Sequence, residues 1–301
     1  MSQSPAPSQK TAILCLLLLA LIWGYNWVQM KVAVQYAPPF TFAALRVLLG
    51  AVCLFALLIG LRKPILPKEV VGTFAVGVLQ TAGVYGLANW ALVSGGAGKV
   101  SVLVYTMPLW TLLLAAIVLH ERIQKLQWIA IALSITGLLL ILDPSNLGGT
   151  TFSKFLALLA GLSWAAGAII AKKLRQTIEL DLLSFTAWQT LFAALPLALI
   201  ALLTPAHPIQ WTAPFIFSLV YNVVPGTAIA TLLWLYILHN LSAGTAGLGI
   251  LLNPVLAVLA AWIQLGERPG FLEAIGMGVI AIALLLNAIQ AIQPVKPVEE
   301  S

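Results

Sequence analysis

Apolar positions along this chain fall in long unbroken runs. Ten stand out, at 11–31, 41–61, 70–93, 98–119, 126–143, 153–171, 183–203, 212–237, 244–264 and 270–290. Each is close to the roughly 20 residues that a helix needs to cross the hydrocarbon core of a bilayer. The two-residue alternation of a membrane strand is missing, so the runs predict helices. The connections are short, and the longest, Asp143 to Ser153 and Lys172 to Asp181, flank the sixth run. Lys10 followed by an apolar run resembles a secretory leader. The run continues through Trp23-Gly24-Tyr25-Asn26-Trp27 to Met30 without a small-residue cleavage site, so it is expected to be retained as a spanning helix.

The runs repeat. Ala97-Gly98, Pro108 and Glu121-Arg122 recur as Ala243-Gly244, Pro254 and Glu267-Arg268, each displaced by 146 positions. Leu92, Leu113, Ala115, Ile117 and Leu119 match Leu238, Leu259, Ala261, Ile263 and Leu265 at the same offset. Five helices per half is an odd number, so the second half enters the membrane from the opposite side. The expected architecture is all-α, with ten transmembrane helices in two inverted five-helix repeats, 11–143 and 153–290, and polar tails at 1–10 and 291–301. Inverted repeats suit a transporter, because two halves that exchange shapes open a central site to alternate faces.

Composition fixes the solvent. Hydrophobic residues make up 61% of the 301 and charged residues 8%, with a mean hydropathy of +1.03. A soluble domain carries about 25% charged residues. If the N-terminus is cytoplasmic, ten of the 15 Lys and Arg fall in cytoplasmic segments: Lys10, Arg62, Lys63, Lys68, Arg122, Lys125, Lys172, Lys173, Arg175 and Lys296. Lys31, Lys99, Lys154 and Arg268 fall outside, and Arg46 lies within a run. That bias predicts a multi-pass membrane protein with both termini cytoplasmic; the expected location is the bacterial inner membrane. The net charge of +6 is spread over many loops, so it marks topology and argues against a nucleic-acid partner. The expected partners are the lipid bilayer and a small-molecule substrate, in a monomer or weak homodimer. Cys15 and Cys53 sit inside apolar runs as small core residues. CxxC, HExxH, GxxxxGK[ST] and GxGxxG are all missing, so no metal, no cofactor and no enzymatic activity are expected.

Four motifs carry a family resemblance. Ile22-Trp23-Gly24-Tyr25-Asn26, Pro39-Phe40-Thr41-Phe42-Ala43-Ala44-Leu45-Arg46 and the Ala-Gly…Pro…Glu-Arg pattern closing each half resemble the EamA branch of the drug/metabolite transporter superfamily. The resemblance covers about 11–290. It implies ten helices in two inverted repeats, export of small metabolites such as amino acids or drugs, and a central cavity lined by helices one, three, four, six, eight and nine. The second half departs from the first at Ser163-Trp164-Ala165 and at Trp188-Gln189, which stands where the first half has Leu45-Arg46. The two halves of the site are therefore chemically unequal.

The candidate substrate-binding residues are polar or aromatic side chains on those helices: Trp23, Asn26, Gln80, Tyr85, Asn89, Tyr105, Trp164, Asn222 and Asn253. Polar groups within lipid must find partners, whether another helix or a solute. An aromatic pocket with a few amides suits an amphipathic organic solute and suits a polyanion badly. The candidate gating residues are Pro108 and Pro254, which interrupt their helices, and Glu121, Glu267, Lys31 and Lys172 at helix ends. Arg46 is expected to snorkel to the outer headgroups, the alternative being to hold a substrate carboxylate. Every Asp and Glu falls at a helix end, in a loop or in a tail, which favours an uncoupled or exchange mechanism over proton antiport. The expected function is export of amino acids or related compounds. A broad drug exporter is the alternative within transport, and a non-transporting membrane receptor or structural protein the alternative outside it.

Overall fold

A computed structural model describes residues 7–121, 123–142, 151–204, 207–241, 246 and 249–292. Ten helical segments follow one another: α1 (Pro7–Ala33), α2 (Pro39–Gly60), α3 (Val70–Ser94), α4 (Ala97–Val118), α5 (Lys125–Leu142), α6 (Thr151–Thr177), α7 (Leu182–Leu203), α8 (Ala213–Asn240), α9 (Leu252–Leu265) and α10 (Phe271–Ile292). Eight are long and apolar enough to cross a membrane, and α5 and α9 are shorter apolar helices. The protein is thus an all-α membrane protein, and large side chains such as Leu202 (85% exposed) and Ile263 (82%) stand on its outer surface. In water such a surface would aggregate; in lipid it is solvated.

Local chemistry sets the helix ends. Pro39 opens α2, where its missing N–H is not needed. The Asp181 carboxylate accepts from the Ser184 N–H at 3.0 Å and caps α7, and the Thr212 hydroxyl caps α8. Gly266 closes α9 in the left-handed conformation, φ 66°.

Packing follows a two-fold rule. The equivalent helices α2 and α7 pair with each other, as do α5 and α10, and α4 and α9. The first helix of each repeat crosses into the other half: α1 packs on α8 and α9, and α6 packs on α3 and α4. Swapping the halves reproduces this list of pairs. The α5–α10 contact is closest at Gly137 and Gly276. A Cβ on Gly137 would lie 2.8 Å from the Gly276 carbonyl, and one on Gly276 would lie 2.7 Å from that of Gly137. Small residues permit this backbone approach, which holds helices together where lipid offers no hydrophobic driving force.

Candidate functional site

Three helices lose regular geometry along their length, a fourth is preceded by a turn, and these features fall in equivalent pairs. Gly77–Gly83 in α3 and Val224–Ile229 in α8 are π-helical, and the two stretches begin 147 residues apart. Pro225-Gly226 signals the second, whereas the first contains no proline and was not legible in sequence. The widened turns leave carbonyls for other helices. The Trp23 indole donates to the Gly226 carbonyl at 3.2 Å, and the Ser163 hydroxyl donates to the Leu79 carbonyl at 2.7 Å. So α1 serves the π-turn of α8, and α6 serves that of α3.

The second pair is α4 and α9. Helix α4 breaks at Tyr105–Thr106 into Ala97–Val104 and Met107–Val118, and a turn at Leu251 precedes α9, 146 positions after Tyr105. Pro108 and Pro254 stand within the first turn after each break. A proline cannot bond to the carbonyl four residues earlier, which frees those of Val104 and Ile250. The Val104 carbonyl faces Gly161 of α6, where a Cβ would meet it at 2.9 Å.

Around these discontinuities lies a layer of buried polar side chains. The Asn253 amide donates to the Tyr105 hydroxyl at 2.9 Å, and the Trp27 ring stands edge-on to Tyr105 at 6.2 Å. The Asn222 amide donates to the Ser218 carbonyl at 2.8 Å, and the Ser218 hydroxyl to Gln29 at 2.9 Å. Asn26 lies against the α8 π-turn, its Oδ1 2.8 Å from where a Cβ on Gly226 would sit. Asn89 is fully buried, one turn beyond the half-buried Tyr85. The unpartnered buried atoms include Asn26 Oδ1, Asn222 Oδ1, Asn253 Oδ1 and both amide atoms of Asn89.

The sequence candidates separate accordingly. Asn26, Tyr85, Asn89, Tyr105, Asn222 and Asn253 fall in this layer or beside it. Trp23 joins it through α8, and its ring lies 6.1 Å from that of Trp234, tilted by 47°. Gln80 is instead engaged with Gln189 of α7, whose amide reaches Thr81 at 2.9 Å and Gln80 at 3.3 Å. Trp164 is half-buried on α6. Gln29, a further polar residue of helix one, takes part through Ser218, which the cavity-helix argument did not single out.

Arg46 overturns one expectation. It does not snorkel: the residue is 1% exposed, and its guanidinium carbon lies 3.9 Å from the centre of the Tyr85 ring. Helical register gives depth along an axis but not which face a neighbour covers, and α7, α3 and α8 surround α2.

The charged candidates cluster at the two ends of the bundle. At one end the Glu267 carboxylate, from the loop between α9 and α10, accepts from the N–H groups of Ala97 (2.9 Å) and Gly98 (3.2 Å). The Lys31 ammonium donates to the carbonyls of Leu92 (2.6 Å) and Gly95 (3.0 Å), and Ser153 donates to that of Ala91. The elbow between α3 and α4 is thus held by a cation on its carbonyl-rich end and an anion on its amide-rich start, the favourable sense for both helix dipoles. A cleft of about 190 Å³ lies beside it, lined by Gly98, Lys99, Val258, Glu267 and Glu273 among others, with Lys99 and Glu273 paired. At the opposite end the equivalent residues do something else. Glu121 and Lys172 pair with each other, each nearly half exposed. Ala243-Gly244, the equivalents of Ala97-Gly98, and Arg122 lie outside the described residues.

At the Glu121 end, Lys63 also pairs with Asp181 at 3.2 Å. Burial pushes the Asp181 carboxyl up, but the Ser184 N–H and the Lys63 ammonium outweigh it and hold that carboxyl below the ordinary range.

Comparison with known proteins adds three findings. The sequence profile of the EamA-like transporter family matches residues 10–143 and again 151–289. "Uncharacterized transporter YoaV" of Bacillus subtilis is 30% identical over 275 residues, 89% of this chain and 94% of that protein. "Probable amino-acid metabolite efflux pump" of Salmonella typhimurium is 30% identical over 290 residues (93% and 95%), and "Uncharacterized inner membrane transporter YedA" of Escherichia coli 27% over 285 (93% and 92%). A solved structure titled "Crystal structure of protein" superposes with a TM-score of 0.66 over 95% of this chain and 99% of that one, at 17% identity, a likeness of fold.

Proposed function

This chain belongs to the EamA-like transporter family, and from that premise we propose that it exports amino acids or closely related amphipathic metabolites across the bacterial inner membrane by alternating access. The observation that carries the reading is the matched discontinuities of α3 with α8 and of α4 with α9, which lie beside a layer of buried amides and aromatic rings. Broken helices at the interface of two repeats are where secondary carriers bind their cargo. Asn26, Tyr85, Asn89, Tyr105, Asn222 and Asn253 supply polar and aromatic contacts there, with Trp23 and Trp164 as walls and Gln80 behind them.

The gates are the charged ends. Glu267 and Lys31 hold the α3–α4 elbow shut at what is, with the N-terminus cytoplasmic, the outer face. Glu121 and Lys172 occupy the equivalent places at the cytoplasmic face, paired with each other. Pro108 and Pro254 let the half-helices swing without breaking a hydrogen bond at each cycle. Among the described residues no carboxylate lies at mid-height, which supports an uncoupled carrier or exchanger over proton antiport. The amino-acid cargo is supported by the printed name of the Salmonella relative, and the inner-membrane location by that of YedA.

Counterflow in proteoliposomes tests the reading, with unlabelled amino acids inside and labelled tracer outside, with and without a proton gradient. Tracer accumulation without the gradient is the expected result. Accumulation only with the gradient would refute the uncoupled mechanism. No accumulation from folded protein would refute the amino-acid cargo.

A further inference from the structure

We propose that Arg46 is the carboxylate-binding residue of the transport site, backed by the Tyr85 ring and flanked by Asn89, so that the cargo is an α-carboxylate solute; this rests on the transport reading above. The guanidinium stays charged at any pH a cell meets, and a bare cation within a membrane bundle is expensive. Yet Arg46 is 1% exposed, and neither Nη1 nor Nη2 has a hydrogen-bond partner among the described residues. The Tyr85 ring 3.9 Å away offers a π-face to the cation but does not accept the in-plane N–H groups. A carboxylate matches that fork with two parallel bonds.

The second repeat provides an internal control. Gln189 stands where the first repeat has Arg46, and its amide is satisfied by Thr81 and Gln80 of α3. At the equivalent position the need is thus met by a neutral amide bonded to α3, a helix of the other repeat. The arginine in the first repeat goes beyond that need, and its free donors call for an acceptor that the surrounding helices do not supply. Asn89 lies on the same face of α3 as Tyr85, one turn on, and adds a further unpartnered donor.

The complementary half of the layer has the opposite polarity. Asn222 and Asn253 spend their N–H groups on the Ser218 carbonyl and the Tyr105 hydroxyl, leaving their carbonyl oxygens unpartnered, and Asn26 Oδ1 is unpartnered beside Gly226. Gly50, one turn from Arg46 on α2, packs on Thr227 in the same π-turn as Gly226, which brings α2 to that part of α8. Donors from α2 and α3 with acceptors from α1, α8 and α9 fit the two ends of a zwitterion.

The test is counterflow of labelled L-leucine and L-phenylalanine against their uncharged-carboxyl analogues, L-leucinamide and L-phenylalaninamide, in wild type, Arg46→Gln and Arg46→Lys. Wild type is expected to prefer the acids about tenfold or more, the discrimination of a charge-assisted pair. Arg46→Gln should lose that preference while still carrying the amides. Arg46→Lys, which keeps the charge but not the fork, should raise KM for the acids more than it lowers Vmax. Gel filtration and thermal melting establish that each variant folds, and Arg46→Lys carries the test if Arg46→Gln does not. An acid-to-amide ratio unchanged in the folded variants, or equal fluxes of acid and amide in wild type, would overturn the assignment and leave the transport reading standing. Wild type that moves neither acids nor amides would overturn both.

Discussion

Replacing Glu267 by Gln should loosen the closed end of the bundle by an amount that the geometry bounds. The carboxylate accepts from two backbone N–H groups at the start of α4, at 2.9 and 3.2 Å. Hydrogen bonds to a charged group contribute about 1.5–3 kcal/mol each, and the helix dipole adds roughly 0.3–1 kcal/mol. The glutamine keeps one acceptor oxygen but loses the charge and the second acceptor. Half-burial of the site discounts the remainder, so closure should weaken by about 1.5–2 kcal/mol, roughly a 10- to 30-fold shift toward the open end. The assay is labelling of Val258→Cys, which lines the adjoining cleft, by a membrane-impermeant maleimide, with the half-buried Cys15 and Cys53 replaced by serine. Glu121→Gln is the comparison, because the Glu121–Lys172 pair is exposed and worth about 0.2–1 kcal/mol, fewer than about five-fold in any labelling rate. Labelling that Glu267→Gln leaves unchanged, or that both variants change equally, would refute the assignment of the gate to Glu267.

Four other outcomes follow from the same structure. Pro254→Ala restores an N–H that can bond to the Ile250 carbonyl and heal the break before α9, so counterflow should slow while the melting temperature holds or rises; unchanged flux at normal expression would count against a hinge there. Asn253→Leu should cost about 1–3 kcal/mol, read as a fall in melting temperature in detergent, because it strands the Tyr105 hydroxyl. Gly137→Val forces a side chain against the Gly276 carbonyl and Ile280, and overpacking of this kind should cost about 1–3 kcal/mol by the same melting assay. Asp181→Asn bears on pH: a carboxyl held below its unfolded value adds stability above that unfolded value and loses it as pH falls through the folded one. Wild type should therefore lose melting temperature on acidification below the ordinary carboxylate range, and Asp181→Asn should lose less.

The ten helices, the repeated motifs and the break in α4 with the turn before α9 were legible in the sequence, because each rests on local signals: long apolar runs, a fixed offset and a proline. Side-chain partnership was less so. The repeated Ala-Gly and Glu-Arg motifs read as two separate helix signatures. In space they are two sides of one contact, with Glu267 of the second repeat on Ala97 and Gly98 of the first, some 170 positions apart. No local pattern announces such a contact; the pairing of α4 with α9 brings the elbow of one repeat to the loop of the other. Arg46 and Gln189 sharpen the point. Both are polar residues near the start of equivalent helices, yet one is bonded to α3 and the other is buried without an acceptor. Arg46 meets a ring of its own repeat, whereas Gln189 bonds to a helix of the other, so the two repeats differ both in side chain and in the neighbour it meets. A symmetric scaffold can therefore move symmetrically while presenting one charged and one neutral wall, and a zwitterion is the kind of solute that such a site would orient.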